Sequence, residues 1–349
     1  MDLEFTSDQL ELRDNARSVL ATECPASLVR TVYDGEGNGD KLWSTLVDLG
    51  WPAIGVAEAN GGLGLGFVEV ALVVEELGRV VAPTPFLATV TQFAPLVRGS
   101  EFEARVAAGE LTGAAVFDSN VVAKGSTLNG EARYVPDAAS AEEIAVVVGD
   151  RVYVVPAASA GVDPVTVLDP TMPLAHVTLS DVEVSADRVL EIDVAAARDE
   201  AVVALALSTV ATCRATFELT LEYAKQRHQF GKPIGSFQAL KHRFANMYLE
   251  VEKAAAVGYY AALTIAENDE RRNAAASMAK AAAGECQRLV ARDGLQIHGG
   301  IGFTWEHDLH FWLKRAKAGD ALLGNSAFHR ARLAHLLGLT AASAGGRAS

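Results

Sequence analysis

The chain has 349 residues, half of them apolar, and a formal net charge of −14. A chain of this length can bury a large core and is expected to form two or three domains. The acidic balance argues against general nucleic-acid binding, which needs a basic surface. No apolar run reaches the roughly 18 residues that a transmembrane helix needs, and residues 1–4 lack the basic start of a signal peptide. We therefore expect a cytoplasmic protein without membrane attachment.

The first part of the chain, residues 1–111, is predicted to be a helical domain. Apolar residues recur at helical spacing after Ser7, a candidate N-cap, and again between Asp40 and Gly50. A glycine-rich stretch at residues 61–66 precedes a third helix that ends near Gly78. Because no strand–helix unit surrounds this stretch, it does not indicate a dinucleotide-binding loop.

The pattern changes between residues 112 and 190, where a small β-domain is predicted. Short runs rich in β-branched residues occur at 114–117, 144–148, 152–155 and 175–179. Turns containing Asp, Gly, Pro and Asn separate these runs, as is typical of strands in a small β-domain.

From residue 198 the pattern is helical again. Helical patterns follow on both sides of a break near residue 231, then an Ala-rich helix at 273–292 and a fourth helix at 305–317. Four long helices in sequence predict a C-terminal bundle, residues 191–340. Residues 341–349 are rich in Ala, Gly and Ser and are predicted to be a flexible tail.

Cysteine and histidine do not indicate a metal site. The three cysteines are far apart in sequence, and two of them lie in helical patterns, so we interpret them as small core residues. Three histidines crowd one region, but a metal site needs several convergent ligands, and no carboxylate or thiolate set lies nearby. The residues concerned are Cys24, Cys213, Cys286, His298, His307 and His310.

The corner at residues 227–238 separates the first two helices of the predicted bundle. Glycines and a proline break the helical pattern, and Ser236 is placed to cap the next helix. Arg227 offers a fixed fork of donors, Phe230 an apolar ring and Gln238 an amide. This set suits a ligand with phosphates and aromatic rings. The plain alternative is a helix hairpin whose corner needs glycine and proline.

Two motifs resemble the acyl-CoA dehydrogenase family. They are Arg-x-x-Phe-Gly followed by Phe-Gln in this corner, and Gln-Ile-His-Gly-Gly-Ile-Gly at residues 296–302. The resemblance covers nearly the whole chain and implies a mostly α fold with a central β-domain: an N-terminal helical domain, a small β-domain and a C-terminal four-helix bundle. In that family both segments reach across a subunit interface and contact FAD held mainly by the neighbour. The FAD-binding residues implied here are Arg227, Phe230, Gln238, Gln296, Gly299 and Gly300.

The family's catalytic base is not found where the resemblance places it. Its usual glutamate aligns with Leu323, which cannot accept a proton. Some members carry the base at the position of Ala201 instead, beside Asp199 and Glu200. Because neighbours on a helix point about 100° apart, Glu200 would need a shift of register to serve. The alternative is that both acids favour a helix N-terminus through the dipole; Asp320 is a weaker candidate, and the catalytic residue stays unknown.

The predicted β-domain also departs from the family pattern. The segments that would hold the flavin ring match residues 117–120 and 133–136, and both matches are poor. Pro136 has neither a backbone N–H nor a hydroxyl to offer. The groups that this chain would lend to a neighbour are therefore intact, whereas those of its own site are eroded.

This asymmetry favours one subunit of a heteromeric enzyme. Residues 300–310 resemble short subunits of the actinobacterial α2β2 acyl-CoA dehydrogenases that degrade steroids as CoA thioesters. The resemblance implies FAD, an acyl-CoA substrate, a homologous partner subunit, and an electron-transfer flavoprotein as acceptor. The alternatives are a self-sufficient homo-oligomer that uses Glu200, a non-catalytic structural or regulatory member, and non-redox thioester chemistry.

Overall fold

The computed structural model describes residues 4–339. The predicted flexible tail, residues 341–349, therefore lies outside the described residues, as does the very start of the chain. Helices come first, strands follow and helices end the described chain, which confirms the predicted mostly α fold with a central β-domain. The domain boundaries at residues 111 and 190 stay predictions.

The N-terminal part is a layer of short helices. A π-helical turn, Thr89–Phe93, joins two of them, and 3₁₀ turns fill Trp51–Ala53 and Glu58–Asn60. The helices are α1 Ser7–Glu23, α2 Ala26–Tyr33, α3 Asp40–Asp48, α4 Phe67–Arg79, α5 Phe86–Ala88, α6 Ala94–Leu96 and α7 Glu101–Ala107.

The predicted cap of α1 was wrong by one residue. Thr6, not Ser7, accepts a hydrogen bond from the backbone N–H of Gln9, and the Gln9 side chain accepts one from Thr6. This reciprocal pair is a capping box, and Ser7 is the first helical residue. Both residue types cap well, so sequence alone could not rank them.

The β part consists of two four-stranded sheets with orders β1-β4-β5-β8 and β2-β3-β7-β6. Strands β1 and β4 are parallel, and the other neighbours in these sheets are antiparallel. The strands are β1 Gly113–Val116, β2 Val122–Lys124, β3 Thr127–Pro136, β4 Glu143–Val148, β5 Arg151–Pro156, β6 Gly161–Val165, β7 Leu174–Glu183 and β8 Val189–Glu191.

All four predicted strands are present, but four others were missed. The missed strands β2, β3, β6 and β8 carry many polar or exposed residues, so they lack the continuous apolar run that marks a buried strand. These four segments form strands because of their packing and pairing within the sheets, which a local sequence pattern does not reveal.

The C-terminal part is the predicted helical bundle, with a small hairpin at its corner. The elements are α8 Val194–Gln226, β9 His228–Gln229, β10 Lys232–Pro233, α9 Gln238–Ala266, α10 Arg272–His298, α11 Leu309–Ala321 and α12 Ser326–Leu336. The fourth helix begins at Leu309, not at residue 305, and α12 was not predicted. Ser236 does not cap α9, because its hydroxyl donates to the Pro233 carbonyl at 2.7 Å.

Helix α8 lies at the centre of the bundle. By length and composition it could cross a membrane, but 78% of its most apolar window is buried, as expected of a core helix. It packs against α9 and the Ala-rich face of α10. Cys213 on α8 and Cys286 on α10 are buried free thiols in this core, as predicted, and Cys24 is a buried free thiol in the N-terminal core.

Candidate cofactor and substrate sites

The predicted corner lies at one end of the bundle. Arg227 caps the C-terminus of α8, and its carbonyl accepts a hydrogen bond from Ile234 N–H at 2.8 Å. Gln238 is the first residue of α9. Phe230 lies at the hairpin tip with a φ of +54° and is 90% exposed. The structure thus confirms that the corner at residues 227–238 separates two helices, whereas the hairpin that carries Phe230 at its tip was not predicted.

The second motif forms the end of α10. Gly299 follows the helix with a φ of +62°, a conformation that favours glycine. Gly300 has no such backbone requirement, yet a Cβ at either glycine would meet no atom of the described residues within 4 Å. Nothing in residues 4–339 therefore needs Gly300 to be small, and the open space beside it suits a group that approaches from outside.

The structure brings the two motifs to the same end of the bundle. Tyr223, one turn before Arg227 on α8, stacks on the His298 ring at 4.4 Å and donates to the His298 carbonyl at 3.3 Å. On α9, Arg243 pairs with Asp293 of α10 at 3.4 Å. The ends of α8 and α10 and the start of α9 are thereby fixed against one another.

The implied FAD-binding side chains point to solvent. Within residues 4–339, Arg227 forms no ion pair, so its guanidinium is available to an external anion. A free guanidinium, exposed amides and an open double-glycine turn fit the phosphates and edges of a dinucleotide. The exposed members are Arg227, Phe230, Gln238, Gln296 and Gly300, and Gly299 is half-buried.

A second site is a cleft of about 560 Å³ between the β part and α11. Its walls are the end of β1 with Phe117 and Asp118, residues 133–136 at the end of β3, residues 165–169, and residues 321–324 after α11. The two β segments that resemble the family's flavin-holding segments therefore meet Leu323, the residue in the place of the usual base. We call this space the own cleft.

The own cleft does not fit a flavin ring and a base. Pro136 offers no N–H, and the N–H of Tyr134 is donated to Nδ1 of His176 at 3.4 Å. Leu323 presents an apolar side chain where a carboxylate would be required. We therefore derive no flavin chemistry in this cleft.

Glu200 lies in a different place from Leu323. It lines a separate cavity of about 190 Å³, and the Arg98 guanidinium binds both its oxygens at 2.8 and 3.0 Å. Burial raises the pKa of Glu200, and the Arg98 charge opposes that rise. Glu200 is not among the residues that line the own cleft.

The explanation of Asp199 and Glu200 as helix-start acids was wrong. Helix α8 begins at Val194, and its N-cap is Asp193, whose carboxylate accepts from Ala196 N–H at 2.9 Å. The two acids lie in the second turn and are buried, which is where the end effect of the helix dipole has faded. They are held by arginines instead.

The other two acids also stay outside the own cleft. Asp199 is buried between Arg272 at 3.8 Å and Arg332 at 3.6 Å, and burial raises its pKa. Asp320 accepts a hydrogen bond from Ser326 N–H at 3.3 Å. Neither lines the own cleft, so no predicted acid takes the place of the missing base.

Sequence reasoning missed a buried ion pair in the cleft wall. Arg315 of α11 binds Asp169 at 2.6 Å, and Tyr33 of α2 donates to the same carboxylate at 3.0 Å. Burial raises the pKa of the Tyr33 hydroxyl. These contacts join the N-terminal helices, the β part and α11. Arg315 follows Phe311 and Trp312 at helical spacing, which is the signal that it faces the core.

Metal ligation finds no support in the described part of the chain. Within it, no group of three or more His, Cys, Asp or Glu side chains is arranged to hold a metal ion. His298 hydrogen-bonds through Nδ1 to the Gly294 carbonyl at 2.9 Å, and His310 stacks on Trp305 at 4.5 Å. These histidines pack in aromatic clusters.

Comparison with known proteins identifies the family. The models for the acyl-CoA dehydrogenase N-terminal and C-terminal domains match residues 6–101 and 199–337. Acyl-CoA dehydrogenase IpdE2 of Mycobacterium tuberculosis is 33% identical over 327 residues, which cover 89% of this chain and 92% of IpdE2. The helices, the two sheets and the matched motifs define an acyl-CoA dehydrogenase fold. The chain belongs to the acyl-CoA dehydrogenase family.

Solved structures show the same fold. A chain of the ChsE4–ChsE5 complex from Mycobacterium tuberculosis superposes with a TM-score of 0.90 at 24% identity, covering 98% of this chain and 100% of that one. A chain of a variant of the Tcur3481–Tcur3483 steroid ACAD has a TM-score of 0.87 at 25% identity, covering 95% and 98%. This chain therefore shares its fold with a chain of each of these assemblies.

Proposed function

We propose that this chain is one subunit of a heteromeric, FAD-dependent acyl-CoA dehydrogenase. The observation that carries the proposal is the contrast between its two sites. The corner with Arg227 and Gly300 is exposed and carries all the residues of the two motifs. The own cleft has walls, but Pro136 and Leu323 deprive it of a donor and a base. A homologous partner would supply both.

In this arrangement the corner binds a dinucleotide held mainly by the partner. The Arg227 guanidinium neutralises phosphate charge, and the double glycine allows backbone contact with it. Gln238 and Gln296 donate amide hydrogen bonds, and Phe230 covers an apolar edge. When bound, FAD supplies the hydride acceptor for oxidation of an acyl-CoA thioester to its 2,3-enoyl product.

The likeness to the Tcur3481–Tcur3483 steroid ACAD supports a steroid-derived acyl group as substrate. Two-component assemblies among the structural neighbours support a homologous partner subunit in a heterotetramer. We further propose that the enzyme is cytoplasmic and that an electron-transfer flavoprotein is its electron acceptor; the second proposal is what membership of the family implies.

A non-catalytic role is the second candidate. It is favoured because Leu323 stands in the place of the base, and both carboxylates of the own cleft, Asp118 and Asp169, are paired with arginines. The two candidates differ in the role of Arg227. If this chain contributes contacts to FAD, the Arg227 side chain is essential for flavin retention. If the subunit is purely structural, Arg227 has no such role. The homo-oligomer based on Glu200 is disfavoured, because that carboxylate is bound to Arg98 outside the own cleft.

The test is to co-purify the chain with a neighbouring acyl-CoA dehydrogenase homologue and to measure flavin content. Arg227→Ala is expected to weaken FAD retention roughly 10- to 100-fold, since a hydrogen bond to a charged group contributes about 1.5–3 kcal/mol. Arg330→Ala is the control, because Arg330 lies on α12 and pairs with Glu285. Unchanged flavin content in Arg227→Ala would contradict the proposal and support the structural role.

A further inference from the structure

The own cleft is large enough for a ligand although it does not fit flavin. Its volume of about 560 Å³ falls within the range of roughly 300–1,000 Å³ that small-molecule pockets occupy. Most of its wall is apolar. The main apolar side chains are Phe117, Val135, Val167, Leu168, Met172 and Leu323.

The charged side chains of the own cleft are already paired. Each of the four binds a residue of opposite charge that does not line the cleft. The pairs are Asp118–Arg198 at 2.8 Å, Arg133–Glu131 at 2.8 Å, Asp169–Arg315 at 2.6 Å and Lys317–Asp320 at 3.6 Å. A charged group inside the cleft would find no uncommitted counter-charge, so the walls favour a neutral ligand.

One polar side chain in the wall lacks a partner. Gln92 is 3% exposed and lines the cleft. Its side-chain amide forms no hydrogen bond to any described residue, and its polar atoms are not among the fully buried unpaired ones, so they are open to the cleft. Gln92 lies in the π-helical turn Thr89–Phe93, and such turns are frequent at functional sites. The amide is positioned to bond a carbonyl or hydroxyl oxygen of a ligand.

Another part of the wall, around Leu323, is held in a strained conformation. Leu323 has a φ of +54° and Gly324 a φ of +88°, and the left-handed region is costly for leucine. Buried Lys280 donates to the Gly324 carbonyl at 2.7 Å, and His329 contacts the Leu323 carbonyl at 2.8 Å. Burial lowers the pKa of Lys280 to about 8. These contacts hold the backbone that carries Leu323 in the cleft wall.

From these observations we propose that the own cleft is a non-catalytic site for a neutral, apolar molecule with one carbonyl oxygen, which Gln92 binds. A ring ketone and the acyl part of a thioester share this chemistry. This proposal depends on one part of the proposed function, namely that the partner holds the flavin and this cleft does not. Without base or flavin, the bound molecule is retained unchanged.

Equilibrium dialysis of the full chain tests the proposal with two neutral probes. Progesterone represents a ring ketone, and S-octanoyl-N-acetylcysteamine represents an acyl thioester without the CoA phosphates. We expect one saturable site per chain for at least one probe, and the probe that binds identifies the source. Gln92→Leu should weaken binding about three- to tenfold through loss of the hydrogen bond. Leu323→Glu should weaken it at least tenfold by placing a charge in the apolar wall.

Leu219→Glu is the matched control, because Leu219 lies on α8 outside the own cleft and is 38% exposed. It should bind like the wild type. Absence of saturable binding of both probes, or binding that neither cleft variant changes, would overturn the proposal. Binding to the chain alone but not to the co-purified complex would show that a partner segment fills the cleft, and would also overturn it. Stoichiometric FAD in the chain alone would instead contradict the proposed function.

Discussion

At the scale of single residues, the surroundings of a carboxylate decide what it can do. Glu200 is close in sequence to a position where some family members carry the base, but Arg98 binds both its oxygens in a separate cavity. Burial raises the pKa of Glu200, so the case against it as the base is its position: Arg98 occupies both of its oxygens, and it does not line the own cleft. Glu200 is therefore interpreted as a structural residue.

Glu200→Gln tests this interpretation in the co-purified enzyme. We expect unchanged turnover and a loss of about 1 kcal/mol in the free energy of unfolding, because Arg98 loses its charged acceptor. Steady-state kinetics and urea denaturation measure the two effects, with Glu285→Gln as the control at an exposed pair with Arg330. A large fall in turnover with flavin retained would make Glu200 the base after all.

At the scale of elements, the loop between α11 and α12 is held by several side chains of neighbouring helices. Its two left-handed residues are fixed by side chains of α10 and α12, and Arg288 of α10 donates to the Ser326 hydroxyl at 3.1 Å. A Cβ on Gly324 would lie 2.5 Å from the Phe328 ring. Both the conformation and the packing therefore require glycine at this position.

Gly324→Ala is expected to be more destabilising than Gly149→Ala. Gly149 has a φ of +65°, and a Cβ added to it would meet no described atom within 4 Å, so its replacement costs only about 1 kcal/mol in backbone conformation. Gly324→Ala should cost roughly 1–3 kcal/mol more because of overpacking. Thermal or urea unfolding of both variants measures the difference, and equal losses would show that the loop relaxes freely.

Two buried histidines, His310 of α11 and His329 of α12, predict a pH dependence of stability. Burial lowers the pKa of His329 to about 4, and that of His310 likewise to about 4. Each binds its proton more weakly in the folded state than in the unfolded state, where the pKa is near 6.5. Stability from these groups is therefore fully present above about pH 6.5 and is lost as the pH falls toward 4.

His329→Gln isolates one of these groups. The wild type should lose on the order of 2–3 kcal/mol per histidine between pH 7 and pH 4. The variant should show a correspondingly smaller loss over that range, although it is less stable at pH 7. Urea denaturation at both pH values measures the difference. Parallel pH profiles for wild type and variant would contradict the assignment.

At the scale of the whole molecule, the sequence predicted features that depend on local patterns. Helices with apolar periodicity, the glycine–proline corner and both motifs were located because their signals lie within a few residues. The own cleft required the fold, since Gln92, Pro136 and Leu323 are distant in sequence. Likewise, nothing near Lys280 in sequence indicates that it donates to Gly324, 44 residues away.

The molecule thus combines an exposed corner, which carries the residues of both motifs, with a separate cleft of different chemistry. This combination is the basis of the claim that the chain lends cofactor contacts without holding the cofactor itself. The most direct measurement is the visible absorbance spectrum of the chain purified alone and of the chain co-purified with its partner, each with FAD counted per chain. We expect the chain purified alone to be colourless, and the complex with its partner to be yellow and to contain fewer FAD molecules than protein chains. One FAD per chain in the protein purified alone would contradict it.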